Sequence, residues 1–213
     1  MKKLAKHFQI DFEAAAEKES VVKIDNLRFT ILTEGLLRIE YDPKREFDNR
    51  PTQLVWKRNL KVPEFSLEKN EQQLIIETEK FILEYLRDEK ELSANNLKIT
   101  VKSNNEEWFY GKEDQNNLKG THRTLDGIDG SVELEEGLLS KSGWTLIDDT
   151  ESLCFNETGW LEARNKSDSY QDLYFLAYGD KYQQILKDFS KITGEIPLLP
   201  RWALGNWWSR YWE

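Results

Sequence analysis

Few side chains in this 213-residue sequence could carry chemistry. Asp148 and Asp149 are adjacent carboxylates. A carboxylate pair can share general acid and base work when both groups reach one substrate. Neighbours in a strand point to opposite faces, so this pair reads as a turn that ends a strand. Asp126 and Asp129 stand in a glycine-rich stretch, where aspartate commonly caps turns. His122 lies in the same stretch with no evident nucleophile nearby, and reads as a solvated loop histidine. Cys154 is the only cysteine, so no intrachain disulfide can form, and two histidines with one cysteine are poor material for a zinc site. Trp144 and Trp160 could stack on sugar rings, although single tryptophans more often fill a core. Arg210 and Tyr211 belong to a C-terminal stretch that holds four of the eight tryptophans.

The elements that must position these residues are mostly strands. Leu27, Phe29 and Ile31 alternate with Arg28 and Thr30, and Leu37, Ile39 and Tyr41 alternate with Arg38 and Glu40. Period two with one polar face predicts strands covered on one side. Gly35 marks the turn between them, and Asp42-Pro43 ends the second. Short strands are then expected at Leu54-Val55-Trp56, around Phe65 and Leu67, at Leu74-Ile75-Ile76, over Phe81 to Leu86 and over Leu97 to Lys102. A hairpin turn falls at Lys69-Asn70-Glu71. This spacing predicts an antiparallel β-sandwich.

From 112 to 141 periodicity fades and turn formers cluster, which predicts a long loop of the kind that often carries function. Strand character returns at Trp144 to Ile147, and a hairpin is expected between Cys154-Phe155 and Trp160-Leu161. Leu173 to Tyr178 is nearly all apolar, as in a strand buried on both faces. Tyr182, Ile185, Leu186, Phe189 and Ile192 then recur at helical spacing. Asp180 is placed to cap this helix with Gln183 reaching back, and Gly194 to end it in the αL conformation. Pro197 and Pro200 close the helix, so a domain boundary is expected there. A terminus as aromatic as 198–213 is expected to belong to a second domain.

Thirty Lys and Arg against 39 Asp and Glu give a net charge of −9, with both signs mixed along the chain. That is a solvated surface, and it repels phosphate backbones, which argues against nucleic-acid binding. No stretch reads as a signal peptide or as a membrane span, so a cytoplasmic protein without membrane association is expected.

Several segments together resemble family 31 of the glycoside hydrolases, the α-glucosidase and α-xylosidase family. Leu118-Lys119-Gly120-Thr121-His122-Arg123-Thr124-Leu125-Asp126-Gly127, followed by Gly137-Leu138-Leu139-Ser140 and Gly143-Trp144, resembles the substrate-facing loop of a bacterial branch of that family. Tyr174 to Gly179, then Phe189 and Thr193-Gly194, is similar to the strand and linker helix that close its N-terminal sandwich. Pro200-Arg201-Trp202-Ala203-Leu204-Gly205 and Ser209-Arg210-Tyr211 resemble its first barrel strand. Leu37 to Tyr41 and Asp48 to Pro51 are similar to its early strands.

The resemblance implies a galactose-mutarotase-like antiparallel β-sandwich over 1–179, a linker helix and exit over 180–197, and the start of a (β/α)8 TIM barrel over 198–213. It implies a retaining hydrolase of α-linked sugars, an α-glucosidase by first expectation, that uses two aspartates close together across the scissile bond. Both would come from later barrel strands, so this chain contributes no catalytic residue and is expected to be inactive by itself. The implied substrate-binding residues are Asp126 first and Asp129 next, with Arg210 and Tyr211 at the pocket floor. The implied partners are an α-linked oligosaccharide or glycoside and the rest of the parent enzyme, with neither metal nor cofactor. Two other readings remain open: a free-standing carbohydrate-binding sandwich, and a mutarotase-like epimerase, for which His7 and His122 are poor material.

Overall fold

The computed structural model describes residues 5–6, 9–87, 91–120, 122, 124, 126–196 and 198–205. In chain order its strands are β1 (Val21–Ile24), β2 (Leu27–Ile31), β3 (Leu36–Tyr41), β4 (Ser66–Lys69), β5 (Gln73–Glu77), β6 (Phe81–Leu86), β7 (Leu97–Val101), β8 (Glu106–Phe109), β9 (Trp144–Asp148), β10 (Cys154–Phe155), β11 (Leu161–Glu162) and β12 (Gln171–Ala177). One α-helix, α1 (Tyr182–Thr193), follows. Five strands pair in the order β1-β2-β3-β12-β9 and five in the order β4-β5-β6-β7-β8, all antiparallel, while β10 and β11 form a separate small hairpin.

The two large sheets face each other across one apolar core. Phe29, Ile39, Leu173 and Phe175 project from the first, and Ile76, Leu83, Ile99 and Trp108 from the second. Alternation does this: β6 and β7 bury every second residue, as a strand with one wet face must. Trp108, Trp144 and Phe175 meet at the centre, with Phe175 ring centroids 5.3 Å from Trp108 and 6.0 Å from Trp144. Trp144 is therefore a core residue, whereas Trp160 is exposed.

The first sheet departs from expectation. Its strands β2 and β3 are buried at every position, not on one face only. A second apolar cluster, with Leu36, Val55, Tyr174, Leu176, Ile185 and Ile192, lies on its other side. The helix α1 and the segment 43–60 cover that face. Leu54-Val55-Trp56 is accordingly not a strand. It is an irregular strap whose Trp56 and Lys57 N–H groups both donate to the Ile192 carbonyl at the end of α1. The strand β8, absent from the sequence expectation, closes the second sheet.

Gly35 is required at the β2–β3 turn, because a Cβ there would lie 2.6 Å from the Ala177 carbonyl oxygen. The helix starts without the expected side-chain cap: Lys181 is the N-cap, and Asp180 pairs with Lys181 in solvent. Gly194 ends it at φ 92 and ψ 165, so its φ is positive but its ψ is extended, not αL. Beyond it, Arg201–Leu204 is a 3₁₀ turn instead of the start of a strand, and Trp202 is 81% exposed. Arg210 and Tyr211 lie outside the described residues.

Candidate functional site

The long loop between β8 and β9 has a built root and an exposed tip. Its two legs run antiparallel. The Leu118 N–H donates to the Leu139 carbonyl at 2.8 Å and the Gly120 N–H to the Glu135 carbonyl at 2.7 Å. Asn117 ties the legs together: its Oδ1 accepts from the Gly137 N–H and its Nδ2 donates to the Gly137 carbonyl. The backbones approach so closely that a Cβ on Gly137 would sit 2.5 Å from the Lys119 carbonyl oxygen. Only glycine fits there.

Two further groups fasten this root to the sandwich. The Asp114 carboxylate accepts from Ser140 Oγ at 2.9 Å, Ser142 Oγ at 3.1 Å and Asn117 Nδ2 at 3.2 Å. The buried Tyr178 hydroxyl accepts the Ser140 N–H at 2.7 Å and lies 3.0 Å from Thr145 Oγ1, which donates to the Leu138 carbonyl. Burial pushes the Tyr178 phenol above its ordinary pKa, so it stays a neutral donor and acceptor.

Asp126 and Asp129 are both exposed at the tip. The Asp126 N–H donates to Thr124 Oγ1 at 3.1 Å, but neither carboxylate bonds to any described residue. Beside the root lies a cleft of about 460 Å³ with Glu113, Asp114, Glu136 and Asp148 among its walls. Neither tip aspartate lines it. His122 is partly buried, and its Nδ1 has no hydrogen-bond partner among the described residues. Among those residues no group of three or more His, Cys, Asp or Glu could hold a metal ion, and no helix is long and apolar enough to cross a membrane.

The sequence reading missed a buried ionic network on the outer face of the first sheet. Strand register creates it, because Arg28 stands opposite Glu40, and Glu40 opposite Asp172. Arg38 grips Asp172 with Nε at 2.7 Å and Nη2 at 2.8 Å, and its Nη1 lies 3.1 Å from Glu40. Arg28 pairs with Glu40. Arg164 bridges Asp172 at 2.6 Å and Asp149 at 3.1 Å. Burial alone would raise the Asp172 pKa, but Arg38 and Arg164 outweigh it and hold the carboxyl well below the usual range. Burial, with the Asp172 charge adding to it, pushes Asp149 up. Asp149 thus ends its strand as expected but is fully buried. The available signal was charged residues on one face of otherwise apolar strands, Arg38 and Glu40 in β3 and Asp172 in β12, which register sets side by side.

No family model matches the chain. A 51-residue segment is 43% identical to an α-xylosidase of Saccharolobus solfataricus, covering 24% of this chain and 6% of that protein. Two solved structures share the fold. A family 31 α-xylosidase from a soil metagenome, complexed with xylose, matches at TM-score 0.55 and 12% identity over 87% of this chain. A family 31 dextranase of Flavobacterium johnsoniae matches at TM-score 0.52 and 13% identity over 92%. The chain spans 35% and 30% of those two proteins. At these identities the likeness is one of fold: a β-sandwich found within family 31 enzymes.

Proposed function

We propose that this chain is the N-terminal sandwich region of a retaining α-glycosidase and that its long loop supplies a sugar-binding carboxylate to the active site. The 43% identity to an α-xylosidase carries this reading, since it is far higher than shared fold alone requires. The sandwich likeness to two further glycosidases supports it. The proposed domains are the sandwich over 1–179, the helix and exit over 180–197, and the beginning of a catalytic barrel over 198–213. The substrate is an α-linked glucoside or xyloside.

Asp126 is the first candidate for sugar contact and Asp129 the second. An ionised carboxylate accepts hydrogen bonds from two adjacent hydroxyls, and these two are not engaged by described neighbours. Arg210 and Tyr211 are proposed for the pocket floor. The nucleophile and the acid/base catalyst would come from barrel strands, at the carboxyl ends where such barrels place their chemistry.

The test uses the enzyme of which this chain is proposed to be part, beside the 213-residue chain alone. The whole enzyme should turn over an aryl α-glucoside or α-xyloside, and the chain alone neither. Asp126→Asn in the whole enzyme should lower kcat/KM about tenfold to a hundredfold, the loss of one charge-assisted hydrogen bond. Its melting temperature should not change, because the side chain is exposed and bonds to no described residue. Turnover by the chain alone would refute the division of labour. Normal kcat/KM in Asp126→Asn would move the contact to Asp129 or out of this loop.

A further inference from the structure

A cavity of about 530 Å³ opens on the outer face of the first sheet, away from the long loop. Arg28, Arg38 and Arg58 line it together with Lys18, Lys23 and Asn49, and no carboxylate does. The lysines are exposed and the three arginines buried, so the cations form a rim and a floor.

These cations are not equally neutralised. Arg28 and Arg38 are held from behind by Glu40 and Asp172. Arg58 is only 1% exposed, yet it pairs with no carboxylate among the described residues. Its Nε donates to the Tyr174 hydroxyl at 2.7 Å and its Nη1 to the carbonyls of Ala14 and Arg50, both at 3.1 Å. Its Nη2 is buried with no hydrogen-bond partner among the described residues. A buried guanidinium without a counter-ion is costly, and an orphaned donor on it adds to the cost. Lys18 and Lys23 likewise form no ion pair with a described residue, so three of the five cations around the cavity lack an ion-pair partner among the described residues.

We propose that this cavity is a binding site for a small oxyanion, a free phosphate or the phosphoryl group of a small metabolite. A phosphate suits a cavity lined by five cationic side chains and no carboxylate, and the rim lysines would hold its charge as mobile point cations. The volume exceeds what a free phosphate fills, so the cavity also has room for a small group attached to it. The site is independent of any glycosidase activity. It also runs against the net charge of −9, so binding here reads the local field and not the overall one.

Thermal melting and calorimetry of the 213-residue chain test this, with inorganic phosphate and glucose 6-phosphate as separate probes and sodium chloride at matched ionic strength as control. Phosphate should raise the melting temperature where chloride does not. A stronger effect of glucose 6-phosphate would identify a phosphorylated metabolite as the ligand, and an equal effect the free anion. The double variant Lys18→Gln, Lys23→Gln changes only exposed side chains and should weaken phosphate binding about tenfold or more. Arg58→Lys, which keeps the charge but loses the fork, should weaken it as well. Equal shifts in phosphate and chloride, or phosphate binding unchanged in the lysine double variant, would overturn the proposal.

Discussion

Replacing Asp172 by Asn should cost more stability than almost any other single change in the sandwich. Asp172 is fully buried and accepts from Arg38 Nε, Arg38 Nη2 and Arg164 Nη1 at 2.6 to 2.8 Å. Asparagine keeps the shape but turns an amide N–H₂ toward one guanidinium and removes the negative charge. Arg38 and Arg164 would then have Glu40 and Asp149 as their carboxylate partners among the described residues. Breaking a buried pair in this way costs about 3–5 kcal/mol, against a total of about 5–15 kcal/mol for a typical domain. At this chain length each kcal/mol lowers the midpoint by about 2–4 °C, so a fall of roughly 6–20 °C is expected. The exposed Lys98–Glu84 pair is the contrast, worth less than about 1 kcal/mol. The pH profile gives a second readout. The folded pKa of Asp172 lies below its unfolded value of about 3.9, so the unfolded chain binds the extra proton in that window. The stabilisation is present above the unfolded pKa and is lost as pH falls through the folded one. Urea denaturation from pH 7 down to pH 2 should therefore show a steep acid loss in the wild type that Asp172→Asn flattens. A variant within 1 kcal/mol of wild type at pH 7, or an unchanged acid slope, would refute the claim that Arg38 and Arg164 hold a buried, ionised Asp172 in a stabilising network.

The root of the long loop gives two smaller predictions. Gly137→Ala should destabilise measurably in urea, since its Cβ meets backbone 2.5 Å away, whereas Gly127→Ala has open space around it and suffers only from its positive φ of 72. Tyr178→Phe should cost about 1–3 kcal/mol by leaving the buried Ser140 N–H without its acceptor, and amide exchange should quicken first at Ser140.

Much of the fold was legible because period two survives wherever a sheet has one wet face. The strands β5, β6 and β7 were readable for that reason, and the helix α1 from its 3.6-residue apolar spacing. The first sheet was harder. Arg28, Thr30, Arg38 and Glu40 look like a solvated face in sequence, and only register shows that the two arginines pair with Glu40 beneath a strap. Leu54-Val55-Trp56 has strand composition, but its backbone bonds go to the end of α1 and to Thr52 Oγ1. The loop was legible as a loop from its glycines. Its anchoring by Asp114, Asn117 and Tyr178 was not, because those residues are separated by up to 64 positions and meet only through the fold.

The strand β12 connects these features. Asp172 at one end holds the arginines of the ionic network, Tyr174 receives Arg58, Phe175 joins the two core tryptophans, and Tyr178 just beyond the other end pins the loop root. It lies between β3 and β9 and is buried at six of its seven positions. A strand paired on both edges and packed on both faces cannot shift without breaking contacts on all four sides. The loop root therefore inherits the rigidity of the sandwich up to the bond between Gly120 and Glu135. Asp126 and Asp129 stand beyond that bond, exposed and without a side-chain bond to a described residue. Substitutions at the root, not at the tip, should thus have the larger effect on stability, while the tip can vary its chemistry at little cost to the fold.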